Sequence, residues 1–222
     1  FKSGPRYQKK PMMINFDVPF CENTDDDTHC FQACLKMVLG YFLPERHFSW
    51  QALDQMTNKR SGEPTWPMAG VCWLVENGFD VQYIELFDYR KFLEKKSAYL
   101  CERWSEDMAN YALETDIESE MPYVESFINT VRYKNRIASL NDVKHALKDG
   151  FICILNVNVR SLYNNEGYSG HYIVIKGIDK NEFIIHDPGR PGKKDQKVSF
   201  IQLQNGWSYP NKTSNNLLAI KL

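Results

Sequence analysis

Three observations predict an α+β fold. Apolar residues at helical spacing dominate the first part of the chain, β-branched runs dominate the last third, and a long charged and aromatic stretch separates them. Helices first and strands last imply an N-terminal helical part packed on a C-terminal antiparallel sheet. We treat residues 1–222 as a single domain.

Phe1 to Met12 is polar and basic, with Pro5 and Pro11, and is expected to be an arm outside the core. Ile14 to Phe20 alternates as a short strand, with Pro19 at its edge. An acidic loop (Asp25, Asp26, Asp27) then leads to Thr28, the expected cap of a helix running to Phe42. Phe31, Cys34, Leu35, Val38 and Leu39 recur at helical spacing, and Ala33, Met37 and Phe42 widen the stripe until the helix reads as buried nearly all round. Leu43-Pro44 ends it. Ser49 caps a second helix to about Met56, and after a loop at 59–65 a third helix has Pro67 in its first turn and Gly78 past its end. Asp80 to Phe87 reads as a strand.

Asp88 to Tyr133 has helical signals at Tyr89 to Trp104 and Met108 to Leu113, followed by acidic Glu114, Asp116, Glu118 and Glu120. It reads as a helical insertion, either a solvated hairpin packed on the body or a lid over a cleft. Ser139 caps a helix from Leu140 to Lys148, closed by Gly150. Strands follow at Phe151 to Val159, His171 to Ile178 and Glu182 to His186, with a Tyr-, Asn- and Gly-rich loop before His171 and a closing strand at Leu217 to Leu222.

Lys plus Arg number 27 against 28 for Asp plus Glu, a balance that argues against a dedicated nucleic-acid surface. No apolar run approaches the ~18–20 residues of a membrane span. The six cysteines are irregularly spaced in a chain long enough to need no disulfide staples, which points to a reducing, cytoplasmic setting. Cys72, Cys101 and Cys153 read as buried free thiols. The chain begins with Phe1, so an N-terminal address is not judged from it.

Cys30 would sit in the first turn of the first long helix, where unpaired N–H groups and the positive end of the dipole favour thiolate. His171 opens one strand and Asp187 ends the next, so both can face one end of the sheet: His171 to take the thiol proton and Asp187 to orient the imidazole. Cys34 reads as core, His186 as structural and pointing away from Asp187, and His29 as an exposed loop residue. A zinc site from Cys30, Cys34, His171 and His186 is conceivable by residue type but lacks a recognised spacing, so no metal is assigned.

Val18-Pro19-Phe20, C-F-Q-A-C-L-K-M-V-L at 30–39, G-H-Y-I-V-I-K-G-I-D at 170–179 and I-H-D-P-G at 185–189 together resemble the C39-like branch of the papain-like cysteine peptidase superfamily. The resemblance implies a papain-like fold and a thiol hydrolase, peptidase or isopeptidase, with Cys30, His171 and Asp187 as a triad working through a thioester. No cofactor is implied, and the substrate would be a peptide or protein. It also implies an oxyanion donor upstream of the cysteine, where the family has glutamine and this chain has Asn23, one methylene shorter. Phe31 replaces the family's glycine after the cysteine. These two departures keep open an inactive peptide-binding domain, and the shared thioester keeps open an acyltransferase.

Overall fold

An eight-stranded sheet carries the site. The computed structural model describes residues 13–222, so the expected arm at 1–12 lies outside the described residues. In chain order the elements are β1 (Met13–Asn15), α1 (Cys30–Phe42), α2 (Trp50–Thr57), α3 (Met68–Glu76), β2 (Asp80–Glu85), α4 (Tyr89–Lys95), α5 (Ser97–Arg103), α6 (Glu106–Ala112) and α7 (Ile117–Thr130). They continue with β3 (Tyr133–Lys134), α8 (Leu140–Lys148), β4 (Ile152–Asn158), α9 (Val159–Leu162), β5 (Gly170–Asp179), β6 (Glu182–Asp187), β7 (Lys193–Ser199), α10 (Phe200–Trp207) and β8 (Asn216–Lys221). The strands lie in the order β3-β2-β8-β4-β5-β6-β7, and β1 pairs with β5. All pairings are antiparallel except β2 with β3.

Period-two alternation divides the strands between two cores. Ile154, Val174 and Leu218 face the first, with Cys34, Leu35 and Val38 of α1. Cys153, Leu155, Ile173 and Ile175 face the second, with Val143 and Leu147 of α8 and Leu203 and Trp207 of α10. A strand buried on both sides shows continuous apolar runs, and both β4 and β5 do. The expected caps at Ser49 and Ser139 are present, the latter as a full capping box with Asp142.

Three expectations are revised. Strand pairing near the N-terminus is confined to Met13–Asn15, and Val18-Pro19-Phe20 runs on outside β1, its Val18 carbonyl bound by His186 Nε2 at 3.0 Å. The residues from Lys193 to Trp207 add an edge strand and a helix whose polar β7 pattern, K-K-D-Q-K, gave no strand signal. The 88–133 segment is not a solvated hairpin. Its fourth helix, α7, buries Met121, Val124 and Phe127, and Tyr89, Phe92, Phe127 and Tyr133 join Tyr83 and Phe87 in one aromatic cluster. Acidic residues at helical spacing on its outer face masked that amphipathicity. Among the described residues no helix is long and apolar enough to cross a membrane.

β1 reaches β5 only because residue 177 lacks a side chain. A Cβ on Gly177 would stand 2.4 Å from the Ile14 carbonyl oxygen. Gly177→Ala is therefore expected to push β1 off the sheet and to destabilise the protein by about 1–3 kcal/mol, read as a lowered urea midpoint with accelerated amide exchange at 13–16.

Candidate functional site

Cys30 is the first residue of α1, and the helix cap is His29, not Thr28. The Thr28 hydroxyl is engaged by Asp26 at 3.0 Å, which draws it away from the helix end. Asn23 organises the loop instead. Its Oδ1 accepts the backbone N–H groups of His29 at 2.8 Å and Thr24 at 2.9 Å, and its own N–H donates to the Pro188 carbonyl. The loop before the cysteine is thus tied to the turn after Asp187. As the first helical residue, Cys30 keeps a backbone N–H with no partner inside the helix. His29 is largely buried rather than exposed: Nδ1 lies 3.2 Å from Asp26, Nε2 lies 3.3 Å from Asp54, and the ring packs edge-on against Trp50.

The helix behind Cys30 is anchored by the two residues that follow it. Phe31 turns fully inward, 4.8 Å from the ring of Tyr172, and rests on Gly70, where a Cβ would meet it at 3.0 Å. The missing family glycine therefore does not obstruct the cleft. Gln32 is also buried, and its amide donates to Thr57 at 2.7 Å and Thr65 at 3.0 Å.

The sheet brings the other two residues to Cys30. His171 is the second residue of β5 and Asp187 the last of β6, and antiparallel pairing sets their ends side by side. His171 Nε2 and Asp187 Oδ1 are 2.7 Å apart, both nearly out of solvent. Cys30 and His171 line the same cleft, and the Cys30 thiol is close enough to act on the imidazole. With Nε2 committed to Asp187, Nδ1 is the ring nitrogen left for Cys30. Burial by itself would lower the imidazole, but the hydrogen bond to Asp187 and the proximity and charges of Cys30 and Asp187 outweigh it and push His171 up to about 10. Burial would raise Asp187, yet its bonds to His171, Tyr163 and the Gly189 N–H hold it down at about 2. Tyr163 donates to Asp187 Oδ2 at 2.5 Å and Gly189 donates to Oδ1 at 2.8 Å, so the carboxylate is fixed from three sides.

His186, next to Asp187, is turned away as expected. Asp195 N–H donates to its Nδ1 at 3.0 Å, and with Nε2 on Val18 both ring nitrogens are occupied. It cannot join Cys30 and His171 around a metal, and Cys34 lies fully buried on the core side of α1. All six cysteines are free thiols, and Cys101 is exposed on α5, contrary to its expected burial.

A cleft of about 400 Å³ opens over Cys30, His171 and Asp187. Asp27 and Thr28 form part of its rim, and Tyr111 and Glu114 reach it from the insertion. The Tyr111 hydroxyl donates to the Gly170 carbonyl at 3.3 Å, adjoining His171. Asn23 is buried and does not line the cleft, and its Nδ2 donates to Asp27 at 2.7 Å, leaving one amide proton uncommitted. Tyr163, Tyr111 and Glu114 were missed in sequence. Only the loop before His171 carried a signal, its tyrosine-rich composition beside a histidine.

The chain belongs to the Peptidase_C39 like family, whose model matches residues 15–215. The fold is that of C39 papain-like peptidase domains. A putative C39-like peptidase from Bacillus anthracis superposes with a TM-score of 0.50 at 14% identity, covering 95% of this chain and 98% of that one. The peptidase domain of Streptococcus ComA, a bifunctional ABC transporter involved in quorum sensing, aligns at 17% identity over 90% of this chain and 94% of that one, with a TM-score of 0.45. No curated protein is detectably similar in sequence.

The raised His171 and lowered Asp187 set a pH window for stability. His171 is protonated in both folded and unfolded states below its ordinary 6.5, so its contribution is complete there and is lost as pH rises towards about 10. The Asp187 contribution is complete above its ordinary 3.8 and is lost as pH falls towards about 2. The stability gap between wild type and His171→Gln should be flat between those two ordinary values and shrink on either side, measured by urea unfolding at stepped pH.

Proposed function

We propose that the protein is a thiol hydrolase that cleaves peptide or isopeptide bonds with Cys30 as nucleophile, His171 as proton carrier and Asp187 as orienter. The observation that supports this reading is the bonded Asp187–His171 pair lining one open cleft with Cys30, the cysteine standing at a helix N-terminus. Asp187 favours the charged imidazole, and a charged imidazole favours the thiolate.

The Cys30 sulfur attacks the substrate carbonyl carbon, forming a C–S bond as the C=O π pair moves onto oxygen. The oxyanion donors are the Cys30 backbone N–H and, reaching the cleft from behind the Asp27 rim, the uncommitted amide proton of Asn23. When the carbonyl re-forms, the C–N bond breaks and His171 delivers its proton to the leaving amine. Water then adds to the thioester while His171 takes one of its protons. The C–S bond breaks, and thiolate and imidazolium are restored. An amine in place of that water would make the same intermediate an acyl transfer.

One contact favours a second reading, a peptide-binding domain with little turnover. Asn23 gives an amide proton to the Asp27 carboxylate, which places a negative group beside the oxyanion donor. The two readings part on the reactivity of the thiol. Iodoacetamide at pH 6 is expected to label Cys30 well ahead of Cys101, and His171→Ala to abolish that selectivity, read by mass spectrometry. With a cleaved peptide in hand, Cys30→Ala should end turnover and Asn23→Ala should lower kcat on the order of 10²–10³-fold. Labelling of Cys30 no faster than Cys101 would favour the binding-only reading.

A further inference from the structure

Beside the Cys30 cleft lies a second chamber of about 110 Å³, floored by the sheet and roofed by Trp66, Trp104 and the insertion. Tyr111, Asn156 and Tyr172 line both spaces, so the two adjoin. The walls are largely aromatic: Trp66 stacks on Trp104 at 6.0 Å between ring centres and on Phe92 at 5.2 Å. One carboxylate stands in this lining, Glu85 at the end of β2.

Glu85 is held in place but not neutralised. The hydroxyls of Tyr89 at 2.7 Å and Tyr83 at 3.3 Å both donate to Oε2, and Oε1 accepts no hydrogen bond among the described residues. The nearby cation, Arg103, spends its guanidinium on the Leu86 carbonyl, the Thr213 carbonyl and the Thr213 hydroxyl. No ion pair to Glu85 forms among the described residues. Burial pushes the carboxyl up from its ordinary range, against the two tyrosine hydrogen bonds and the charge of Arg103, which favour the carboxylate.

Strand register sets the distance from Glu85 to Tyr172, the neighbour of His171 at the cleft. Glu85 pairs with Asn216, the Asn216 side chain accepts the Asn156 N–H at 2.8 Å, and Asn156 pairs with Tyr172, which follows His171. These four residues form a row across the sheet floor, three strand spacings or about 14 Å long. An extended chain covers that in about four residues, and fewer when a long side chain spans part of it.

We propose that this chamber is the specificity pocket for a lysine or arginine side chain of a peptide substrate, with Glu85 as its counter-ion. The proposal rests on the hydrolase reading for the peptide but not for the charge. Aromatic faces attract a cation and accommodate its apolar stem, and the free oxygen of Glu85 supplies the charge it needs. An apolar side chain of the same size would leave that oxygen buried and unpaired, which is how such a site discriminates. The chamber is somewhat smaller than the ~150 Å³ cavity that holds a benzene-sized guest, which suits one side chain rather than a folded segment.

The test measures binding to the Cys30→Ala protein, so that no peptide is consumed. A positional-scanning library of short blocked peptides locates the preferred position, and matched peptides with lysine, arginine, norleucine or acetyl-lysine there are then titrated by calorimetry. Lysine or arginine should bind at least about tenfold tighter than norleucine and acetyl-lysine, with no Glu85 variant needed. Glu85→Gln keeps an acceptor for both tyrosines and should reduce the preference to about twofold or less, and Glu85→Lys should turn it towards glutamate. Equal binding of lysine and norleucine, a preference that survives Glu85→Gln in folded protein, or no binding of any peptide would overturn the proposal. Wild-type turnover is followed in parallel. Cleavage without a cationic preference leaves the hydrolase reading and sinks this one, whereas cationic binding without cleavage does the reverse.

Discussion

The buried contact between His171 and Asp187 is the constraint around which the site is built. A carboxylate and an imidazole withdrawn from water are costly unless each has a full set of partners. Here Asp187 takes a phenol, a backbone N–H and the imidazole, and the imidazole's remaining nitrogen is left for the cleft that Cys30 lines. Each partner comes from a different part of the chain. Tyr163 lies in the loop after α9, Gly189 in the turn after β6, and Cys30 at the start of α1. The N-terminal loop is bound to the same turn through the Asn23 N–H and the Pro188 carbonyl. The site is also the place where sheet and loops are tied together.

Around this centre the insertion has two distinct jobs. Its inner face, with Tyr89, Phe92 and Phe127, completes the aromatic core over β2, so the segment belongs to the body of the fold. Its α6 end projects Tyr111 over Gly170, and Tyr111 is shared by the cleft and the chamber beyond it. A segment fixed by core packing at one end can carry an accurately placed side chain at the other, because packing leaves it few alternative positions. The proposed selectivity uses that placement: the roof comes from the insertion and the charged floor from β2.

Local patterns made much of this architecture legible. The stripe from Phe31 to Leu39 announced a buried helix, Ser139 announced the cap of α8, and the apolar runs of β4 and β5 announced strands. β7 was not legible, because an edge strand with one solvated side and little apolar content has no periodic signature. Nor was α7, whose acidic outer face hid the Met121, Val124 and Phe127 stripe. The start of α1 was misread by one residue, since Thr28 is a good cap by type but Asn23, upstream in the same loop, supplies the hydrogen bond that closes it.

By itself the sequence determined the class of fold and put Cys30 at a helix start, His171 at a strand start and Asp187 at a strand end. Those are local matters, decided by periodicity, capping and turn chemistry over a few residues. Whether the three meet, which nitrogen faces which partner, and that Phe31 points inward onto Gly70 were decided only by tertiary structure. So was the position of Glu85, unremarkable in its own strand, in line with Tyr172 through two intervening strands. Strand order and register bring such residues together, and they depend on the packing of the whole chain rather than on any one segment.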